Sequence, residues 1–527
     1  MVGMKFITVL VVILLLLLCH WLLIDFPHFE SDDAYIIYLT STLDWYHFLY
    51  VPEIYQQLSA AHLTPFAVPF YTLIQEFFPF SPGAYLNIMV ILLALWMFSC
   101  VFFLKIHFRL PNADMVLFGV LILSVSSIGT ILNRFYTSHY LLSGILGTVS
   151  LIALSYYSQT RRSVFYWIAT VLMILALMSK EIMIAILPIS FFLFLQNRFL
   201  AKKIFITGIF IVVGYFAYRG YMLEQLIGTR VAKGGLTQGL VTIYEALPGF
   251  IDWYISGRVL LSLALIGAFF LSPLTVLAGL VVAVMLAAPT LAAPHGYSYP
   301  ELHADRLFIA SDFALAATAT LGFARWRQQK QHFNRPMILA VVGGIVIAGF
   351  ARSLYQTNLY DEQVPNSSEY RITQTILERH SSADAIYFPE NYVLGSLVAA
   401  LKHKYSRPHE ITANCLEALQ WSGGNILLLN HHGQIVSHAT LAENCSSMDF
   451  TPSLSGDVIY DRGILHWDIV GAEHLEAGVY FQEHALYIGN RQFQERLIRP
   501  SVGEKYKLYA KEGTHWWFSE EKEVVFR

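Results

Sequence analysis

Apolar residues gather into eleven long runs, near 4–24, 84–104, 114–132, 137–157, 164–179, 182–197, 204–219, 257–272, 274–291, 307–324 and 336–355. Runs of roughly 16–24 residues suffice for a helix to cross a hydrocarbon core of about 30 Å at about 1.5 Å per residue. Every polar backbone group in such a run needs a partner inside the run, so the pattern predicts helices. The first run is longer than the apolar core of about 7–15 residues in a secretory signal, and no small-x-small cleavage site follows it. The five residues directly before Cys19, Leu14–Leu18, are all leucine, which argues against a lipoprotein cleavage site, so the run reads as a retained helix.

Three intervening segments stand out by length: 25–83, 220–256 and 292–306. The first is rich in aromatics and in proline (Pro52, Pro65, Pro69, Pro79, Pro82), and reads as short amphipathic helices at a membrane interface. Beyond Tyr355 the patterning changes. Segment 358–527 has mixed polar and apolar positions, with helix-like stretches (Ser368–His380, Val393–His403) and strand-like ones (Ala385–Phe388, Asn425–Leu429, Gly478–Phe481, Lys505–Ala510). Turn signals such as Ser422-Gly423-Gly424 and His432-Gly433 separate them. The expected architecture is a polytopic α-helical membrane region, 1–357, with about eleven transmembrane helices. A soluble C-terminal α/β or α+β domain, 358–527, would follow it.

Composition agrees: 56% of residues are hydrophobic and 13% charged, against about 25% charged in soluble domains. The net charge of −3, with no basic block, gives no sign of nucleic acid as a partner. Orientation follows from the placement of Lys and Arg. With the N-terminus in the cytoplasm, that side receives Lys5, Lys105, Arg109, Arg161, Arg162, Arg198, Lys202, Lys203, Arg325, Arg327, Lys330 and Arg335. The other side receives Arg134, Lys180, Arg230, Lys233, Arg258 and Arg306, with Arg219 at a helix end, a bias of about two to one. An odd number of crossings then puts 358–527 outside: in the periplasm for a bacterial inner membrane, or in the lumen for an endoplasmic reticulum membrane. Cys415 and Cys445 lie in that segment and are able to pair if it faces an oxidising compartment.

A few polar residues are candidates for chemistry. Asp32 and Asp33 stand beside Glu30, shortly after the first run. A carboxylate pair suits a general base, one pKa being raised by its neighbour, or a divalent cation such as Mg or Mn held by oxygen ligands. It is equally the make-up of a solvated acidic loop. Ser179-Lys180-Glu181 forms the turn between two apolar runs, where Gly, Asn or Pro is usual. Charges at such places are either snorkelling anchors or functional groups. Arg306, after His303-Ala304-Asp305, stands at the lip of the tenth run; a guanidinium there suits a phosphate, or simply anchors the helix end. Arg134 is similarly placed, with His139 a turn beyond. His431, His432 and His438 only superficially resemble a metal set, in a stretch that reads as strand, turn, strand.

The order of these signals is more telling than any one. A double Asp after the first helix is followed by "HLTPFAVPFYTLIQEFFPFSPGAYLNIMVILL", "NRFYTSHYLLSGILG", "SKEIMIAILPISFFLF" and "HADRLFIASDFALAA". This series resembles the GT-C superfamily of multi-pass glycosyltransferases. It is most similar to the branch of protein O-mannosyltransferases and their relatives with tetratricopeptide repeats. The resemblance covers about the first 325 residues through short motifs only. The sequence departs from it at Leu307 and Ala310, where an aromatic and Pro are usual, and it lacks the repeats.

The resemblance implies a sugar donor linked to polyprenyl or dolichyl phosphate, and transfer by an inverting single displacement to a glycan or protein acceptor. Asp33, or Asp32, would act as base. Lys180 and Arg306, with Arg134, would hold the departing phosphate, while Glu181, His303 and His139 would contribute to substrate binding. A transporter or flippase is the rival from another class, but no pair of repeats with broken helices is apparent. A glycan polymerase or ligase would use the same carriers, and a non-catalytic scaffold would use neither.

Overall fold

The computed structural model describes residues 2–29, 31–59, 62–224, 254–291, 306–329, 335–379, 383–388 and parts of 397–526. The chain forms two compact units. The first comprises Met1–Pro27, Ala61–Ala67 and Gly83–Glu362; the second comprises His28–Ala60, Val68–Pro82 and Gln363–Arg527.

Helix α1 spans Val2–Trp21, and the first long segment holds α2 (Ser31–Thr42), α3 (Pro52–Leu58) and α4 (Ala67–Phe77). The later apolar runs become α5 (Pro82–His107), α6 (Asn112–Leu123), α7 (Ser127–Leu132), α8 (Ser138–Thr160), α9 (Ser163–Ser179), α10 (Ile186–Leu193) and α11 (Arg198–Leu223). They continue as α12 (Val259–Leu271), α13 (Pro273–Leu291), α14 (Ile309–Gln329) and α15 (Arg335–Gln363). Among the described residues, four helices are long and apolar enough to cross a membrane: Pro82–His107, Phe135–Thr160, Arg198–Leu223 and Arg306–Arg327. Six further apolar helices are shorter, and the last run lies within α15. Large apolar side chains stand exposed on their flanks, including Trp167, Phe210, Val213, Phe270 and Leu274. Water is a poor solvent for such a surface and hydrocarbon a good one.

The structure departs from the sequence pattern at two places. Run 114–132 is not one helix but α6 and α7, broken at Ser124-Val125-Ser126. There the Ser124 hydroxyl donates to Leu121 O (2.7 Å) and the Ser126 N–H turns out to Gly257 O (3.0 Å). Serines that bond backbone in this way compete with the helix ladder. Run 182–197 opens as a tight 3₁₀ turn, Glu181–Ala185, before α10.

Close packing joins the helices of the first unit. The Trp96 indole stacks on Phe313 with centroids 3.8 Å apart and donates to Thr148 Oγ1 (3.2 Å). It lies against Gly144, where any larger residue would collide with it. Deeper in, Arg258 and Asp312, both fully buried, form a two-pronged ion pair: Nε to Oδ1 at 2.6 Å and Nη2 to Oδ2 at 3.0 Å. Ser127 Oγ and Tyr254 OH add a hydrogen bond each, both at 2.8 Å. The chain after α1 is tied to α15, where the Asp361 carboxylate accepts the N–H groups of Asp25 (2.9 Å) and Phe26 (3.2 Å).

In the second unit α16 (Ser368–Arg379) leads into a parallel sheet ordered β2-β1-β3, with β1 Ala385–Tyr387, β2 Glu410–Thr412 and β3 Ile426–Leu428. Short helices α17 (Cys415–Gln420) and α18 (His438–Asn444) flank β3 in sequence. The expected strand–turn–strand around the histidines is only half present. Leu429 and Ile435 form a single antiparallel bridge, and the chain is helical from His438. The remaining strands are β4 (Ile459–Asp461), β5 (Ile464–Asp468), β6 (Glu476–Phe481), β7 (Leu486–Ile488), β8 (Gln492–Glu495), β9 (Lys505–Glu512), β10 (His515–Phe518), β11 (Lys522–Glu523) and β12 (Val525–Phe526). They form two sheets, ordered β12-β4-β5-β8 and β10-β9-β6-β7 with β11 on β9, which share an apolar core including Leu465, Trp467, Val479, Phe481 and Leu508. Residues from the first long segment belong to this unit. Lys404 pairs with Glu76 at 3.2 Å, and the rings of His28 and Tyr370 meet edge to face.

Candidate active site

The site begins at the Ser-Lys-Glu turn. Helix α9 ends at Ser179, and Lys180 takes an extended backbone (φ −155°, ψ 125°) before the chain tightens into the 3₁₀ turn. Lys180 is almost fully buried, with its ammonium 4.4 Å from the centre of the Tyr140 ring. Tyr140 lies in the first turn of α8, and Tyr136 lies one turn earlier on the 3₁₀ lead-in Phe135–Thr137. Residues four apart share a face. The Tyr136 hydroxyl accepts a hydrogen bond from Arg134 Nη1 (3.1 Å), and the Arg306 guanidinium lies 5.3 Å from the centre of its ring. Two tyrosines thus carry three cations from three separate parts of the chain. Aromatic faces attract such cations without neutralising them.

His139 stands between the two tyrosines, its Nδ1 against Tyr136 O at 2.5 Å and its ring 4.6 Å from that of Tyr140. Lys180, His62 and Arg306 all lie within electrostatic reach of it. Nearby, the Asn133 side-chain oxygen and the Ser138 hydroxyl are buried without a hydrogen-bond partner among the described residues. Buried polar atoms of that kind are usually satisfied by water or a ligand.

Glu181 faces a different set of groups. Its Oε1 lies 2.5 Å from His62 Nδ1 and its Oε2 lies 2.5 Å from Arg219 Nη1, while Tyr215 OH (3.4 Å) and the Leu63 N–H (3.5 Å) complete the shell. Burial pushes the Glu181 carboxyl up, but His62, Lys180 and Arg219 outweigh it and hold its pKa down at about 2. The carboxylate is therefore ionised, with both oxygens engaged by protein groups.

The residues expected from sequence distribute as follows. Lys180, Arg306, Arg134, His139 and Glu181 come together within the first unit. Asp32 and Asp33 stand on the first turn of α2 in the second unit, Asp32 exposed and Asp33 fully buried. His303, His431, His432 and the pairing of Cys415 with Cys445 lie outside the described residues. Among the described residues, no group of three or more His, Cys, Asp or Glu is arranged to hold a metal ion. Charge placement alone does not point to Tyr136, Tyr140, Arg219 or His62. His62 opens a Pro-rich stretch, "HLTPFAVP", where proline dominates the reading.

An apolar cavity of about 940 Å³ runs through the same unit between α5, α8, α10, α13 and α14, lined by Trp96, Phe103, Ile186, Phe313 and Leu321 among others. Its wall follows α14 from Ala310 to Arg325, roughly 22 Å at about 1.5 Å per residue. Ala310 is one turn beyond Arg306, and Met183, also in the wall, is three residues beyond Lys180. The arrangement suits an amphiphile with an anionic head and a long apolar tail.

No family model matches the chain, and no curated protein matches it.

Proposed function

We propose that the chain is a multi-pass glycosyltransferase of the GT-C kind, crossing the membrane about eleven times. In this reading it transfers a sugar from polyprenyl or dolichyl phosphate to a glycan or protein hydroxyl outside the cytoplasm. The observation that carries the reading is the gathering of Lys180, Arg306 and Arg134 on Tyr136 and Tyr140 beside an apolar cavity. A departing lipid phosphate develops negative charge, and fixed, desolvated cations stabilise it without reorganising. The cavity takes the tail. Asp33 acts as the base on the acceptor hydroxyl, an assignment resting on its place in the sequence and its burial.

The length of the cavity, which reaches Arg325 and His107, favours movement of the lipid carrier as a second reading. Substitutions in the full chain separate the two. Asp33→Asn is expected to abolish sugar transfer while binding of farnesyl phosphate, a short carrier analogue, persists. Lys180→Ala or Arg306→Ala is expected to weaken that binding by roughly 10–100-fold, the worth of a charge-assisted hydrogen bond. Mass spectrometry of surface glycans with and without the protein gives the transfer readout. Unchanged glycans with lipid-carrier distribution altered would move the reading to transport.

A further inference from the structure

The apolar cavity has a polar end, and it is the end away from Lys180. On α5 and α8, Trp96 donates to Thr148 Oγ1 (3.2 Å) and, further along both helices, His107 Nδ1 meets Ser155 Oγ (3.1 Å), so the two run side by side and end together. Helices α13 and α14 run in opposite directions: Ser311 Oγ donates to Ala283 O (3.0 Å), and Arg325 Nη1 to Thr275 Oγ1 (2.6 Å). Arg327 pairs with Asp114 (2.6 Å) at the start of α6, shortly after His107, and the His107 ring lies 5.0 Å from that of Phe194. His107, Ser158, Gln196, Asn197, Thr275 and Arg325 therefore line one end of the cavity, whereas Met183, Leu286 and Ala310 make an apolar wall at the other.

Among the described residues, Arg325 is the one side chain of fixed charge in this wall. Thr275 holds it through a neutral hydroxyl, which orients the guanidinium without neutralising it, while Arg327 takes the Asp114 carboxylate. Ser158, Gln196 and Asn197 add hydroxyl and amide groups that donate hydrogen bonds. One cation among neutral donors matches the single negative charge of a phosphodiester. The three cations on Tyr136 and Tyr140 match a phosphate monoester, which carries about −1.5 to −2 at pH 7.

The flank of the cavity is apolar and exposed. Phe192 on α10, with Leu274 and Val281 on α13, lines it, yet these side chains are 62%, 80% and 58% exposed. Such a rim faces hydrocarbon when the helices cross a bilayer, so a lipid tail enters sideways without passing a polar barrier. Arg325 is itself exposed, and Arg109, Arg161, Arg162 and Arg198 fall just beyond the ends of α5, α8 and α10. Basic pockets between transmembrane helices on the cytoplasmic side, where the Lys and Arg bias puts this end, suit anionic lipid heads.

We propose that the cavity is a binding site for an anionic glycerophospholipid, which enters past α10 and α13 with its phosphodiester on Arg325 and an acyl chain along α14. The site lies beyond the sugar-transfer reading and does not depend on it. An acyl chain spans about 15 Å, half of a hydrocarbon core of about 30 Å, which brings its end from Arg325 to the level of Ala314 at about 1.5 Å per residue. A prenyl tail entering past Ala310 meets the end of that chain.

The test is native mass spectrometry of the detergent-solubilised full-length protein titrated with dioleoyl phosphatidylglycerol. Wild type is expected to retain this lipid more strongly than dioleoyl phosphatidylcholine, whose choline cancels the charge. Arg325→Gln is expected to weaken retention about tenfold, the loss of one charge-assisted hydrogen bond, and Arg325→Lys to keep most of it. Ala317→Phe, which fills the cavity and leaves Arg325 in place, is expected to weaken it as well. Lys180→Ala is expected to retain the lipid as wild type does. Equal retention by wild type and Arg325→Gln overturns the proposal, as does equal retention of the two lipids. A loss in Lys180→Ala as large as that in Arg325→Gln would put the head at the other end. Displacement of the lipid by glycerol 3-phosphate at equal concentration would make this a site for a soluble anion.

Discussion

Replacing Asp312 by Asn preserves the shape of the side chain and deletes its charge. In the native arrangement the carboxylate is fully buried and receives four hydrogen bonds, two from Arg258 and one each from Ser127 and Tyr254. Asn offers one acceptor oxygen, and its amide turns N–H groups towards a guanidinium that has only N–H groups to offer. Arg258, fully buried, then loses the carboxylate that holds it in two places. Breaking a buried pair from one side costs about 3–5 kcal/mol. At roughly 2–3 °C per kcal/mol for a unit of this size, the unfolding midpoint is expected to drop by about 6–15 °C. The assay is thermal unfolding of the purified full-length protein in detergent, followed by tryptophan fluorescence. Changing both partners, Asp312→Leu with Arg258→Leu, leaves no orphan charge and is expected to recover more than half of the loss. A single variant that melts within about 2 °C of wild type would refute the reasoning. So would a double variant no better than the single one. The outcome bears on the site, because Ser127 precedes Arg134 and Asp312 follows Arg306 on the same chain segments.

Two further expectations concern pH and topology. The Glu181 pKa is held at about 2 against an ordinary 4.5, so it contributes about 3 kcal/mol of stability that is present above pH 4.5 and lost as pH falls towards 2. Wild-type melting temperature is therefore expected to decline over that window, and Glu181→Gln to start lower and decline less; parallel curves would contradict the assignment. From the Lys and Arg distribution, the N-terminus and loop 325–335 are expected in the cytoplasm and 358–527 outside. A reporter fused after Arg527 that is active only in the cytoplasm would put the proposed site on the wrong face.

Which features were legible in the sequence follows from how local their causes are. The helices of the first unit were readable because apolar length and backbone hydrogen bonding are properties of each run alone. The break at Ser124-Val125-Ser126 was not, since it depends on the Gly257 carbonyl, more than a hundred positions away. Lys180, Arg134 and Arg306 stood out as charges at the ends of apolar runs. Tyr136 and Tyr140, which bring them together, are lost among aromatics that make up 15% of the chain. Arg258 was counted only among the loop charges and Asp312 was not singled out, because the pair is joined across 54 positions. In the second unit, strands near 385–388, 425–429, 478–481 and 505–510 were visible in the residue pattern. Their order within the sheets is a matter of tertiary packing, and no short window of sequence carries it.

The make-up of the second unit has a consequence for biosynthesis. Its early pieces, His28–Ala60 and Val68–Pro82, belong with Gln363–Arg527, so they emerge 281 residues before the first of their later partners (363 minus 82). At about 5–20 residues per second, the ribosome needs roughly 15–55 s to supply it. During that interval α2 and α4 wait without the strands and helices of their own unit that follow Gln363. The contact between Glu76 and Lys404 belongs to the end of synthesis, not its start. Asp33, among the first polar residues to leave the ribosome, therefore sits in the part of the protein that is finished last.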